Sequence, residues 1–194
     1  MTTTDPLTKS QAARRQRVLL AALELGADGG YEAVQMRDVA ASAEVALGTI
    51  YRYFPSKDAL LAAAMLEWME DLERRVTQRA PKGDTTSERV YDVLHRAVIT
   101  MERQPKLAEA VITALTSDDR EAGAASVTTT DVMQRVLITA FPEGTDPELE
   151  ASIAKVLGHV WFSCLVAWSN GVGDLTWVGE ELETATHLLC DHLG

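Results

Sequence analysis

The chain has 194 residues, a length that suits one large domain or two small ones. Apolar residues make up 46% of it, which is typical of a globular protein with a core and argues against disorder. The net charge of −11 by itself argues against a nucleic-acid partner, but the charge is divided unevenly: residues 1–57 carry seven basic and six acidic side chains, whereas residues 58–194 carry eleven and twenty-three.

The first part of the chain is predicted to form four helices. Helix-forming residues are frequent and no alternation with period 2 occurs, so the sequence predicts an all-α fold. Gly29-Gly30 ends the first helix, Pro55 ends the third, and Ser56 can cap the fourth. The predicted helices cover residues 10–28, 36–42, 46–53 and 57–79.

Five further helices are predicted after a linker at residues 80–84, which gives nine in all. Thr85 and Glu88 form a capping box at the start of the first of them. Start signals for the others stand at Pro105, Asp118-Asp119, Asp146-Pro147 and Thr176, and the helix opened by Asp118-Asp119 is expected to end near Phe141. The expected division is a small domain of three helices at residues 1–56 and a larger helical domain at residues 57–194.

The sequence also predicts where the protein works. Cys164 and Cys190 lack the spacing of a disulfide framework or a zinc site, which indicates a reducing compartment. Residues 1–17 contain no apolar stretch of the kind found in a secretory signal. The uncharged run at 156–173 contains polar residues and three glycines, which favours a buried helix over a membrane span. We expect a cytoplasmic protein with no membrane partner.

The two short helices and their tight link have the pattern of a helix-turn-helix. The second of them offers a glycine that permits close backbone approach, hydroxyl groups, phenols and an arginine, and the next helix begins with a lysine placed to hold a phosphate. Such hairpins also occur in proteins that do not bind DNA, and Phe54 is expected to be a core residue. The candidate DNA-binding residues are Gln35, Arg37, Leu47, Gly48, Thr49, Tyr51, Arg52, Tyr53 and Lys57.

Two segments resemble the N-terminal signature of the TetR family of repressors. They are GGYEAVQMR at residues 29–37 and VALGTIYRYFPSK at residues 45–57, and the first departs from many members at Val34-Gln35, where threonines are common. The resemblance implies a homodimer that binds a palindromic DNA operator in the major groove. It also implies that residues 1–56 are the DNA-binding domain and that residues 57–194 are the ligand-binding and dimerisation domain. A small molecule in the larger domain would then release the operator.

Methionines and aromatic residues at helical spacing are candidates for the effector site. Such residues more often form core than cavity, but the resemblance favours a cavity for a large hydrophobic effector. Within the family the sequence resembles repressors of steroid catabolism, and this resemblance implies a steroid-derived acyl-CoA as the effector. Arg74, Arg75, Arg103 and Lys106 could meet its phosphates. The candidate ligand-binding residues are Met65, Trp68, Met69, Leu72, Met101, Met133, Phe141, Phe162 and Trp168.

The last two helices carry apolar stripes that suggest a four-helix interface with a second copy. The alternative is that these stripes pack on the chain's own core. The first stripe holds Leu149, Ile153, Val156, Val160 and Trp161, and the second holds Val178, Leu182, Ala185 and Leu189.

Other functions have little support in the sequence. No catalytic motif, cofactor motif or metal-binding motif occurs, so the protein is not expected to be an enzyme. His187, Cys190 and Asp191 share one helical face, but a polar helix end explains them better than a metal site. The alternative function is that of a helical ligand-binding or scaffold protein that does not bind DNA.

Overall fold

The computed structural model describes residues 8–193, and within that range it is entirely helical. The predicted residues 1–7 of the first domain and residue 194 of the second lie outside the described residues. The α-helices are α1 (Lys9–Gly29), α2 (Met36–Ser42), α3 (Leu47–Tyr53), α4 (Lys57–Gln78), α5 (Thr86–Glu102), α6 (Pro105–Leu115), α7 (Arg120–Ile138), α8 (Pro147–Ser169) and α9 (Leu175–Cys190).

These bounds confirm the all-α prediction and the nine α-helices predicted within the described range. Two short 3-10 helices, Tyr31–Ala33 and Asp191–Leu193, were not predicted. Helix α7 ends at Ile138, earlier than expected, because the chain turns there: the Thr139 hydroxyl donates to the Val136 carbonyl. Pro142 then disfavours helical backbone at Phe141.

Side-chain caps at the helix starts explain why the boundaries could be predicted. The Thr85 hydroxyl accepts the Glu88 amide, and the Glu88 carboxylate accepts the Thr85 amide, which confirms the predicted capping box. The amides of Asp84 and Thr85 donate to the Glu88 carboxylate and hold its pKa below the usual value. Ser56, Asp119, Asp146 and Asp174 cap α4, α7, α8 and α9.

Helices α4 and α7 run parallel to each other and share the most extensive helix–helix contact. At the start of both helices the Ser56 hydroxyl is hydrogen-bonded to the Asp119 carboxylate, which also accepts the Ala122 amide. Near their other ends Arg135 Nε lies 3.0 Å from Glu73 Oε1. Helices α5 and α6 form the connection between them.

Helix α8 is, among the described residues, the one helix long and apolar enough to cross a membrane by length and composition. Its inner face is buried, with Leu157 and Leu165 fully inaccessible, whereas Val156 is 44% exposed. The predicted buried helix is therefore buried on one face only.

Four of the nine residues in the predicted dimer stripes face the chain's own core, and the other five are exposed or half-buried. Ile153, Trp161, Val178 and Leu182 are buried in the chain's own core, since α8 and α9 pack on each other and α9 also packs on α5. The most apolar stripe of each helix therefore faces inward. The apolar side chains that α8 and α9 leave exposed are Leu149, Val156 and Leu188.

Candidate DNA-binding surface and effector cavity

Helices α1, α2 and α3 form a compact unit around a small apolar core. Val18, Val39, Ile50 and Phe54 are almost completely buried, which confirms the prediction for Phe54. Glu44, in the turn between α2 and α3, has φ of 53°, a left-handed conformation that is uncommon for a residue other than glycine. This turn sets α3 at an angle to α2, as in a helix-turn-helix.

Helix α3 presents a polar, exposed surface on the side away from Ile50. The Tyr51 side chain is 50% exposed, and Gly48 and Arg52 are exposed. A Cβ atom built at Gly48 would meet no atom within 4 Å, so the backbone there is open to close approach. Leu47, Thr49 and Tyr53 are half-buried beside this surface.

Arg52 is partly held in place by its neighbour. Its Nη2 donates to the Tyr53 hydroxyl at 3.2 Å, and its guanidinium lies 5.1 Å from the centre of the Tyr53 ring. Gln35 and Arg37 at the start of α2 are both exposed, and the Gln35 side-chain amide donates to the Glu32 carbonyl. Their contacts with DNA stay a prediction.

Lys57 makes contacts within the chain, and its predicted contact with a phosphate stays a prediction. Its Nζ lies 3.5 Å from the centre of the Tyr31 ring and donates to the Tyr31 carbonyl at 3.2 Å. The Tyr31 hydroxyl in turn donates to Asp58 at 2.6 Å. Burial and the Asp58 carboxylate raise the pKa of Tyr31 to about 12. Lys57 therefore fastens the start of α4 to the 3-10 helix, in addition to any role at a phosphate.

A cavity with a volume of about 290 Å³ lies between α1 and the helices α4, α5 and α6. Three of the nine predicted ligand residues, Met65, Trp68 and Met101, line it. A second cavity of about 20 Å³ is lined by Met65 together with Met69, Met133 and Phe162.

Three predicted ligand residues line neither cavity. Leu72 is buried in the core, Phe141 lies in the turn after α7, and Trp168 lies near the end of α8. Helical spacing shows which residues share a face, but it does not show where two faces separate to leave a cavity.

The cations at the larger cavity differ in how they are paired. Arg75 lines the cavity, but its guanidinium lies 2.5 Å from Asp71, which Arg74 also contacts. Lys106 donates to the Asp28 carbonyl. Arg103 lines the cavity, and within residues 8–193 its side chain has no hydrogen bond or ion pair. Arg103 is therefore the cation best placed to meet an anionic group of a ligand.

Leu23 on α1 also lines this cavity, a contact that the sequence did not reveal. The cavity thus touches the DNA-binding unit directly. Helix α1 is also tied to α4 by Glu67, which accepts hydrogen bonds from Arg15 and Gln16. Only the tertiary structure brings these residues together, because α1 and α4 are separated by the whole helix-turn-helix.

The face formed by His187, Cys190 and Asp191 does not gather into one site. His187 Nδ1 lies 2.9 Å from Asp191 Oδ1, whereas Cys190 is completely buried, and burial raises its pKa to about 11. Cys164 is also buried. Among the described residues no three metal-ligating side chains converge.

Two family models match the chain and together span most of it. One, for the bacterial regulatory proteins of the tetR family, matches residues 18–64, which include the helix-turn-helix. The other, for the tetracyclin repressor-like C-terminal domain, matches residues 83–189. The chain belongs to the TetR family. It is a transcriptional repressor of this family, and its relatives are transcriptional regulators.

Curated relatives extend this likeness along the whole TetR-family chain. The HTH-type transcriptional repressor KstR of Rhodococcus jostii is 38% identical over 95% of this chain and 86% of its own length. KstR of Mycobacterium tuberculosis is 35% identical over 93% of this chain and 82% of its own length.

Solved structures share the TetR-family fold. A TetR regulator from Rhodococcus sp. RHA1 has a TM-score of 0.81 and 28% identity, over 93% of this chain and 97% of its own. Thermus thermophilus FadR, solved in complex with lauroyl-CoA, has a TM-score of 0.69 and 22% identity, over 90% of this chain and 92% of its own. At that identity the comparison shows similarity of fold alone.

Proposed function

We propose that this repressor is a homodimer that binds a palindromic operator through α3 in the major groove. The observation that carries the proposal is the exposed surface of α3, with Gly48, Tyr51 and Arg52 directed away from the buried Ile50. A helix-turn-helix reader needs two half-sites about one DNA turn apart, which two copies of the chain supply. The division into residues 1–56 and 57–194 assigns these two tasks to separate parts of the chain.

A large hydrophobic effector in the cavity beside α1 is proposed to release the operator. The cavity volume of about 290 Å³ lies at the lower end of the range for small-molecule sites. A whole acyl-CoA exceeds that volume, so the apolar acyl part would lie inside and the coenzyme part outside, near Arg103. The resemblance to KstR favours a steroid-derived acyl group, and the lauroyl-CoA complex of FadR supports an acyl-CoA as the ligand class.

The exposed apolar residues of α8 and α9 support the proposed dimer. Leu188 is 80% exposed and Val156 is 44% exposed, so both side chains are accessible to a partner. A second copy of the same two helices would cover them in a four-helix arrangement.

The second candidate, a helical ligand-binding or scaffold protein without DNA function, has less support. Such a protein would not require the exposed side chains of Tyr51 and Arg52 on α3, nor a glycine beside them, Gly48, whose backbone is accessible to a ligand. We further propose that the protein acts in the cytoplasm, without catalysis, a cofactor or a membrane partner.

Selection of DNA duplexes from a random pool tests the proposal. The wild-type protein should enrich a palindromic sequence and shift it in a gel, and sedimentation should show a dimer. Steroid acyl-CoA thioesters should release the duplex at lower concentration than free steroids or straight-chain acyl-CoAs. Recovery of no enriched sequence would favour the second candidate, and release by none of the three ligand classes would refute the proposed effector.

A further inference from the structure

Helix α1 carries a glycine at a point where another helix approaches very closely. Gly26 lies inside α1 and is buried. A Cβ atom built there would stand 2.8 Å from Leu107 Cδ1 and 3.6 Å from Val34 Cγ2. Glycine weakens a helix interior, so its presence here is explained by the close packing of Leu107 on the α1 backbone.

The Leu107 side chain stands between α1 and the larger cavity. It contacts Gly26 on one side and lines the cavity on the other. Leu23, one helical turn before Gly26, lines the same cavity. A molecule that fills the cavity therefore meets α1 directly at Leu23 and indirectly through Leu107.

The start of α6 is also attached to the end of α1. Lys106 Nζ donates to the Asp28 carbonyl at 2.9 Å, so a shift of α6 carries the end of α1 with it. Beyond that end the chain passes through Val34, the second neighbour of Gly26, into α2. The other half of α1 is held on α4 by the hydrogen bonds of Arg15 and Gln16 to Glu67.

We propose that the Leu107–Gly26 contact transmits occupancy of the cavity to the helix-turn-helix. When an occupant displaces Leu107, the end of α1 moves while its first half stays on α4, and the orientation of α2 and α3 changes. This inference rests on the proposed function. It assigns the coupling between the two parts of the chain to one side chain and one glycine.

A double-mutant cycle tests the contact without any effector. Gly26→Ala places a methyl group against Leu107 and forces α1 away from that side chain, as a Leu107 displaced by an occupant would. It should weaken binding to the selected duplex about tenfold, a typical size for coupling between sites. Leu107→Ala alone supplies the reference affinity for the cycle. The double variant should bind the duplex as tightly as Leu107→Ala, because the shortened side chain leaves room for the new methyl group.

Gly123→Ala is the matched control, since Gly123 is exposed on α7 and a Cβ atom there meets nothing within 4 Å. Its duplex affinity should equal that of the wild type. Leu107→Phe enlarges the same contact from the α6 side, and it should weaken duplex binding even if Gly26→Ala fails to fold.

Two failures can be told apart. If the wild type enriches no duplex, the proposed function is wrong. If it enriches one, the inference is overturned by wild-type affinity of a folded Gly26→Ala or of Leu107→Phe. A double variant that binds no better than Gly26→Ala also overturns it.

Discussion

Arg15 of α1 and Glu67 of α4 form an ion pair, with 2.9 Å between Arg15 Nη1 and Glu67 Oε1. The other carboxylate oxygen accepts the Gln16 side-chain amide at 3.0 Å. The Arg15 guanidinium also lies 5.2 Å from the centre of the Phe54 ring, at the end of α3. One arginine thus contacts both the DNA-binding unit's core and the first helix of the larger part.

Glu67→Gln should lower the free energy of unfolding by about 0.5–1 kcal/mol, because the partly exposed pair is screened by water. Urea unfolding at low salt measures this loss, which should shrink at about 1 M salt as the Debye length falls. Glu109→Gln, at an exposed residue of α6, is the control. An equal loss in both variants would contradict a specific role for the pair.

Tyr51→Phe should weaken duplex binding about three- to tenfold, as expected for the loss of one hydrogen bond. The side chain is 50% exposed, so the thermal unfolding temperature should stay unchanged. Gel shifts and thermal melts on the same preparation separate the two effects. Tyr91→Phe on α5 serves as the control, and a loss of affinity no larger than in this control would remove Tyr51 from the DNA surface.

Lys57→Met should lower both stability and duplex affinity. The substitution removes the ammonium group from the Tyr31 ring and from the Tyr31 carbonyl, which should cost about 1 kcal/mol. Lys57→Arg keeps the charge and should retain more of the stability and more of the duplex affinity than Lys57→Met does. Denaturant unfolding and gel shifts check this, and unchanged stability of Lys57→Met would show that the Tyr31 contact contributes nothing measurable.

The pKa of Tyr31 predicts a dependence of stability on alkaline pH. Its folded-state pKa of about 12 lies above the ordinary value of 10, so the unfolded chain loses this proton first as the pH rises. The contribution of the protonated Tyr31 hydroxyl to the free energy of unfolding is complete below pH 10 and is lost as the pH rises through 12. Wild type should therefore lose stability more steeply than Tyr31→Phe between pH 10 and 12. Parallel unfolding curves of the two proteins over that interval would refute this assignment.

Arg103→Gln should weaken binding of an acyl-CoA about tenfold, which matches the loss of a charge-assisted hydrogen bond. Effector-free duplex affinity should stay the same, since Arg103 lies at the cavity and not on α3. Calorimetric titration with a steroid acyl-CoA and with the corresponding free acid measures the change. Arg74→Gln, whose arginine pairs with Asp71 but does not line the cavity, should bind both ligands as the wild type does.

The helices could be predicted because their limits depend on neighbouring residues. The Thr85–Glu88 capping box and the Asp146 cap before Pro147 each satisfy backbone amides within one turn. Pro105 has no amide to satisfy and its fixed φ suits the first helical position, so in all three cases the sequence alone contains the cause. The family signature likewise lies within two short segments.

The tertiary contacts could not be predicted in the same way. Lys57 lies over Tyr31 because the 3-10 helix, which packs on α1 and α6, comes next to the start of α4, and no local pattern shows that approach. The stripes of α8 and α9 were apolar enough for either a core or an interface. In the structure Val178 and Leu182 pack on the chain's own helices and belong to the core. The cavity was only partly predicted, since Leu23 and Leu107 belong to helices that the aromatic and methionine pattern did not include.

The parallel arrangement of α4 and α7 has a consequence for how the protein is made. Parallel neighbours cannot be joined by a tight turn, so the pairing of α4 is non-local in sequence and must wait until α5, α6 and α7 have been synthesised. In the meantime α4 can pack on α1, but the side of the nascent α4 that packs on α7 has no partner. A fragment that ends at Gln78 would keep that side uncovered permanently, and we expect it to aggregate even though it contains the whole helix-turn-helix.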